Sequence, residues 1–251
     1  MQILKLGGSV ITKKHEHMTP DIDSIERLAK AIAAVWHAGK KDLIIVHGAG
    51  SFGHILVMTY GLNNGIKDKK EKLGYAYTHS SCGYLSSLLV DALIKHDVPA
   101  VSLPPAAIIR QNNKRISEFN QKLVFDYLKE GYLPILHGDM VLDKKLGGSV
   151  CSGDQIVAFL GKKASRIVIG TNVDGVLVDG KVVPKITSKN FNEIKKHLKQ
   201  SGAPDVTGGM AGKINELLNV KKPVFIANAN RAERIEALLL GNPALCTEIK
   251  F

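Results

Sequence analysis

Apolar residues along the chain alternate between two spacings. Short continuous runs are separated by longer stretches in which apolar positions recur every three or four residues. Ile3-Leu4-Lys5-Leu6, Leu43 to His47, Ala100 to Leu103, Leu133 to Leu136, Arg166 to Gly170, Pro223 to Ala227 and Thr247 to Phe251 belong to the first kind and predict strands. The second kind predicts helices. Ile22, Ile25, Leu28, Ile32 and Val35 form one stripe between Pro20 and Gly39, with Pro20 suited to a first turn. Leu85, Leu88, Leu89, Ala92 and Leu93 mark another, and further helices are predicted over Phe119 to Lys129, Phe191 to Gln200, Ala211 to Val220 and Arg231 to Leu240. Met140 to Val150 reads as a hairpin closed by Gly147-Gly148, and Val176 to Val183 as one turning at Asp179-Gly180. Ser152-Gly153-Asp154 opens an apolar helix, with Ser152 or Asp154 as its cap.

Strand and helix patterns alternate throughout, and the strands are apolar on both faces. That is the signature of an α/β fold, an open αβα sandwich whose central sheet is mostly parallel and covered on both sides. No linker, repeat or low-complexity segment divides the chain, so the expectation is one domain with an N-terminal and a C-terminal lobe.

Parallel sheets of this kind bind ligands beyond the carboxyl ends of their strands. Gly7-Gly8-Ser9 follows the first strand, and Gly48-Ala49-Gly50-Ser51-Phe52-Gly53-His54 follows the second. Gly138-Asp139, Thr171-Asn172-Val173-Asp174-Gly175 and Asn228 follow later ones, and Thr207-Gly208-Gly209-Met210 leads into the helix that carries Lys213. Glycines let backbone N–H groups approach phosphate oxygens, and a helix N-terminus adds partial positive charge. Two such loops imply two phosphate groups held opposite each other. Neither common grip is present. No G-x-x-x-x-G-K-[ST] occurs, and the Gly48 to Gly53 match to G-x-G-x-x-G lacks its acid, because no Asp or Glu lies between Asp42 and Lys67. Phosphoryl transfer needs cations around the moving group. Lys5, costly in an apolar strand unless the strand end is a site, and Lys14 and Lys213 are the candidates. Asp154 could orient them or assist a metal. Lys213 stands at the wrong helix end for a cation by dipole reasoning, which a bound anion would explain.

Composition changes this picture little. At 251 residues with 45% hydrophobic and 23% charged residues, the chain is an ordinary globular protein. No apolar run reaches the roughly 18–20 residues of a membrane span and no signal layout opens the chain, so a cytoplasmic protein is expected. A net charge of +11 suits an anionic small substrate as well as nucleic acid, but the lysines are dispersed, and Lys67 to Lys72 reads as a solvated loop or helix start. Three well-separated cysteines, Cys82, Cys151 and Cys246, argue against a disulfide framework or a structural zinc site.

The order of these motifs resembles the amino acid kinase superfamily over essentially the whole chain: K-L-G-G-S, a second glycine loop, S-G-D before a helix, T-N-V-D-G after a strand, and T-G-G-M-x-x-K. The loop S-F-G-H together with Lys14 is similar to the branch of isopentenyl phosphate kinases, found chiefly in archaea on an alternative mevalonate route. The fosfomycin-resistance kinases, which share the histidine, are the alternative, and a non-catalytic polyanion binder a remote one. The resemblance implies ATP with Mg2+ as cofactors, isopentenyl phosphate as substrate, a homodimer, and neither nucleic acid nor membrane as partner. It implies a substrate-binding lobe over 1–160 and a nucleotide-binding lobe over 161–251. Lys5, Gly7, Gly8, Ser9 and Ala49 would lie at the ATP phosphates, with Thr171, Asp174, Gly209 and Lys213 on the nucleotide side. Gly48, Ala49, Gly53, His54, Gly138 and Gly153 would hold the acceptor phosphate, and Tyr75, Thr78, Met140 and Val150 would line its hydrocarbon pocket. Lys5, Lys14, His54, Asp154 and Lys213 would form the catalytic set, with no dedicated protein metal site. His47 reads as structural. The family loop is usually G-G-G-S-F-G-H; Ala49 departs from it, and alanine fits only if its φ is negative.

Overall fold

The computed structural model describes residues 1–13, 16–200, 209–218 and 220–250; Lys14, Thr207 and Gly208 lie outside the described residues, as does Phe251 at the end of the last predicted strand. An eight-stranded sheet runs through the molecule in the order Lys185–Ile186, Thr247–Ile249, Val224–Asn228, Arg166–Thr171, Gln2–Leu6, Leu43–His47, Leu133–His137, Ala100–Ser102. Every neighbouring pair is parallel except Val224–Asn228 with Thr247–Ile249. The first strand of the chain is therefore central, buried between Leu43–His47 and Arg166–Thr171.

The two-residue period of a strand sorts these apolar runs into two cores. Leu4, Leu6, Leu43, Ile45, Ile135 and Val168 face the Ile22–His37, Lys69–Ile94 and Ala232–Leu240 helices. Ile3, Ile44, Val46, Leu136, Ile167 and Ile169 face the Gly153–Gly161, Phe191–Gln200 and Gly209–Leu217 helices. Lys5 shares its face with Ile3, and its register partners are Val46 and Ile169. The αβα sandwich expected from the sequence is the fold observed.

Element ends differ from expectation in instructive places. Pro20 lies before its helix, not in the first turn. Asp21 caps it instead, accepting from Ser24 N at 2.9 Å. Ile22, counted in the apolar stripe, is 54% exposed. A helical side chain leans over the turn that precedes it, and at the first helical position there is none. Lys69–Ile94 is one helix of 26 residues, beginning in the Lys67–Lys72 charge cluster, where Asp68 and Glu71 form a capping box. The Met140–Val150 hairpin is present, as Asp139–Asp143 paired with Gly147–Cys151, but Gly147 and Gly148 begin its return strand and do not make the turn. A Cβ on Gly147 would stand 2.7 Å from the Ile66 carbonyl oxygen, and one on Gly148 2.9 Å from the Tyr75 ring. Close packing requires Gly148, and Gly147 combines close packing with a φ of +74 at the end of the turn.

That hairpin joins a second sheet of four strands with Ile109–Asn112 and Arg115–Phe119, a pair absent from the sequence reading. Its turn places Asn113 and Lys114 at positive φ without a glycine, so the usual turn signal is missing. Buried Asp143 holds both hairpins. It accepts from Asn113 N at 3.0 Å, Lys114 N at 2.7 Å, Lys145 N at 2.9 Å, Leu146 N at 3.0 Å and Ser149 Oγ at 2.7 Å. Burial opposes ionisation, but these donors outweigh it and hold the carboxyl far below the usual carboxylate range. A depressed folded pKa contributes stability that is complete above about pH 4 and is lost as pH falls through the folded value. Asp143→Asn should therefore cost about 2–4 kcal/mol at neutral pH, measured by urea unfolding. The gap between variant and parent should narrow below pH 4. An equal gap at all pH values would contradict this role.

Candidate active site

The carboxyl ends of Gln2–Leu6 and Leu43–His47 open onto a cleft of about 1390 Å³. At its floor the Gly7-Gly8-Ser9 turn and the Gly48–Gly53 loop are packed backbone against backbone. A Cβ on Gly8 would lie 2.2 Å from Gly50 N, and one on Gly48 2.6 Å from Gly8 N. Gly50 has φ +53, and a side chain there would collide with Thr12 Oγ1 at 2.2 Å. Thr12 stitches the two loops together: its hydroxyl donates to Gly8 O at 2.9 Å and accepts from Ser51 N at 3.2 Å. Ala49, the departure from the usual loop, has φ −75 and ψ −24. That conformation suits alanine, and the left-handed position falls on the adjacent glycine.

Lys5 enters this cleft from the central strand and is 3% exposed. Its Nζ lies 3.0 Å from Asp154 Oδ1, and Lys213 Nζ lies 3.8 Å from Asp154 Oδ2. The strand period makes this meeting possible, because Lys5 projects toward the face covered by the Gly153–Gly161 helix. Of the two candidate caps, Ser152 takes the role, its Oγ accepting from Gln155 N at 3.2 Å. Asp154 stands in the first turn, where the helix dipole favours a carboxylate. A charge this buried needs a partner, and one carboxylate serves two lysines, one on the central strand and one on the Gly209–Leu217 helix. Lys213, expected near the start of its helix, is the fifth of the nine residues Gly209–Leu217, beyond the first turn where the dipole would oppose a cation.

His54 begins the short His54–Thr59 helix and lines the cleft with Ile55, Val57 and Met58. Thr78, Cys82, Met140 and Val150 complete an apolar wall, with the Thr78 hydroxyl turned back to Gly74 O at 2.8 Å. Gly138, Asp139 and Gly153 line the floor, and Thr171 lines the other end with Val173, Leu177–Gly180, His197, Leu198 and Met210. The cleft thus gathers nearly all the residues proposed from sequence. Tyr75 stands behind its wall, packed on Gly148, and its hydroxyl is pushed up to about 12 by burial and by the Asp139 charge. Asp174 also lies outside the lining. Asn228 Nδ2 donates to it at 3.0 Å and Arg234 pairs with it at 2.6 Å, holding its carboxyl below the usual range. Gly209 opens its helix one residue before the lining Met210, and Lys14 lies outside the described residues.

Several residues of the site have no role assigned from sequence. Thr12 has none, Leu177–Gly180 reads only as part of a hairpin, and Asp139 only as following a strand. Asp139 is 3% exposed and is held by His79 Nδ1 at 3.0 Å and by Met140 N at 2.8 Å, with Ala106 N more distant at 3.3 Å; burial raises its pKa. His47 and His137, register partners at the ends of adjacent strands, stack at 5.3 Å with both rings fully buried. Burial, and then His137, push His47 down to about 3, and burial also lowers His137. Among the described residues the Nε2 atom of each ring has no hydrogen-bond partner, at a cost of about 1–3 kcal/mol each. The repeated His-Gly step after two strands was the signal available.

A model of the amino acid kinase family matches residues 1–228. The chain belongs to the amino acid kinase family. Among its relatives in that family, an isopentenyl phosphate kinase from Methanothermobacter thermautotrophicus is 39% identical over 99% of this chain and 98% of its own length. One from Methanocaldococcus jannaschii is 35% identical over 100% of this chain and 99% of its own. An X-ray structure of isopentenyl phosphate kinase superposes with a TM-score of 0.84 at 35% identity, covering both chains completely. A substrate complex of isopentenyl phosphate kinase superposes at 0.77 with 27% identity, again over both whole chains.

The loop packing of this amino acid kinase makes a paired prediction. Gly8→Ala should destabilise by about 2 kcal/mol or more, since backbone must move. Ala49→Gly should cost less than about 1 kcal/mol. Thermal unfolding of both variants checks this, and equal losses would refute the packing described.

Proposed function

We propose that the chain transfers the γ-phosphoryl group of ATP to isopentenyl phosphate, giving isopentenyl diphosphate and ADP for isoprenoid biosynthesis. The observation that carries the reading is the shared cleft, in which two interlocked glycine loops, the Lys5–Asp154–Lys213 group and His54 adjoin an apolar wall. The relatives named above, isopentenyl phosphate kinases at 35–39% identity over nearly their whole length, support it. They do not favour the fosfomycin-type or polyanion-binding alternatives.

In this reading the acceptor needs no base. The second pKa of a phosphate monoester is about 6, so near neutral pH its oxygen is already the nucleophile. That oxygen forms the new bond to the γ-phosphorus as the bond to the β–γ bridging oxygen breaks, and ADP leaves. The protein must neutralise and aim two anions. Gly48, Ala49, Gly53, Gly138 and Gly153 cradle the acceptor phosphate, and His54 donates to it from a ring nitrogen. Gly7, Gly8 and Ser9 adjoin the ATP phosphates; Gly8 and Ser9 offer N–H groups at a helix start, while the Gly7 N–H is spent on Gly170 O at 2.8 Å and fixes the turn. Lys5, Lys14 and Lys213 supply positive charge along the transfer path, and Asp154 orients Lys5 and Lys213. Thr78, Met140 and Val150 receive the five-carbon tail, with Tyr75 supporting that wall. Thr171 and the Gly209–Leu217 helix belong to the nucleotide side, and Asp174 shapes it through Asn228 and Arg234.

No cluster of three metal-ligating side chains occurs among the described residues, and Asp154 is tied to lysines. This donor set fits Mg2+ carried by the ATP phosphates, where it supplies further neutralising charge. Residues 1–160 form the acceptor lobe and 161–251 the nucleotide lobe. A cytoplasmic homodimer completes the proposal. No helix among the described residues is long and apolar enough to cross a membrane.

His54→Ala should lower kcat/KM for isopentenyl phosphate by at least about 100-fold, with KM for ATP within about threefold of the parent. Lys5→Ala should depress kcat by about 100- to 1000-fold. Coupled ADP assays measure both, and parental turnover in either variant removes that residue from the mechanism. In the same assay dimethylallyl phosphate, geranyl phosphate, fosfomycin, acetylglutamate and uridylate should each stimulate less than isopentenyl phosphate. No stimulation by any prenyl phosphate would overturn the proposal.

A further inference from the structure

His47 and His137 lie beneath the acceptor side of the cleft, on the sheet face opposite Lys5, and the mechanism above does not use them. Each ring makes the same contact. His47 Nδ1 lies 3.0 Å from Gly48 O, and His137 Nδ1 lies 3.1 Å from Gly138 O. A carbonyl oxygen only accepts, so in both rings Nδ1 carries the proton. Burial keeps the rings neutral, which preserves this tautomer across the working pH range.

The contact has a consequence one atom further along the chain. In a trans peptide the C=O and the following N–H point in opposite directions. A Gly48 carbonyl turned inward to His47 turns the Ala49 N–H outward, toward the cleft that both residues line. Among the described residues no backbone hydrogen bond uses that N–H. Gly138 stands beside it: a Cβ there would sit 3.5 Å from Ala49 N and cover it. Gly138 is held in turn by its own N–H, which donates to His47 O at 2.8 Å, and by His137 at its carbonyl. The stack at 5.3 Å locks the two rings to each other.

We propose that His47 and His137 are positioning residues for the acceptor phosphate: the His47 Nδ1–H fixes the Gly48–Ala49 peptide so that the Ala49 N–H donates to a phosphate oxygen, and His137 pins Gly138 so that the donor stays uncovered. The inference rests on the reading of this cleft as the site of a phosphate-bearing acceptor. It also accounts for two buried Nε2 atoms that have no partner among the described residues, which apolar rings in the same places would not carry.

Substitution by asparagine and by leucine tests the idea, because Asn Nδ2 can replace the Nδ1 donor and leucine cannot. Steady-state kinetics with isopentenyl phosphate and ATP, and thermal unfolding, are measured for His47→Leu and His47→Asn. We expect His47→Leu to raise KM for isopentenyl phosphate by at least about tenfold, the equivalent of one lost hydrogen bond to a charged group. KM for ATP should stay within about twofold, and the midpoint of unfolding should not fall. His47→Asn should recover acceptor KM to within about threefold of the parent. His137→Leu and His137→Asn form an independent pair with the same expected pattern, and decide the matter if either His47 variant fails to fold. Parental acceptor KM in the leucine variants, or equal impairment by leucine and asparagine, would overturn the proposal. A parent protein that does not turn over isopentenyl phosphate would instead overturn the substrate reading on which it rests.

Discussion

A lysine in the central strand of a parallel sheet is the constraint around which the molecule is arranged. Lys5 is flanked by Val46 and Ile169 and is 3% exposed, and an unpaired charge in such a place would cost several kcal/mol. The carboxylate that meets it at 3.0 Å comes from the first turn of a helix packed on the same face, and that carboxylate also faces Lys213 of the Gly209–Leu217 helix. The sheet and these two helices are thereby referred to one point. A side chain held this way cannot relax when a phosphate arrives, and such preorganisation makes electrostatic stabilisation effective.

The second constraint is steric. The two glycine loops are pressed together, with Gly8 and Gly50 at distances no Cβ would allow and Thr12 bonded to both. In the proposed transfer two anions that repel each other must meet, and a rigid pair of loops on one floor would set their separation before either binds. The dispersed charge of +11 adds a favourable field for both anions.

Much of this was legible in the sequence because it follows from short-range rules. Apolar runs alternating with helical stripes gave the parallel sheet, and the small residues after successive strands marked the cleft. Lys5 was noticeable because it interrupts an apolar strand. The tolerance of Ala49 turned on the sign of one dihedral, and its φ of −75 answers that condition. What stayed hidden depends on long-range packing. Gly147 and Gly148 looked like a turn; Gly147 does end it with a positive φ, but the close approach of Ile66 and Tyr75 to this pair comes from residues remote in sequence. The Ile109–Phe119 hairpin turns without glycine, and its anchor, Asp143, lies on another hairpin. Asp174 matches a family motif, yet its partners Asn228 and Arg234 draw it out of the cleft lining. The stacked histidines required knowing that His47 and His137 are register partners.

Phosphorus NMR of the protein with ATP and isopentenyl phosphate shows whether the phosphoryl group passes to a second phosphate and not to water or a carboxylate. The monophosphate singlet should be replaced by the two coupled doublets of a diphosphate ester, one equivalent for each ADP formed. ADP accumulating while the singlet persists would contradict this transfer.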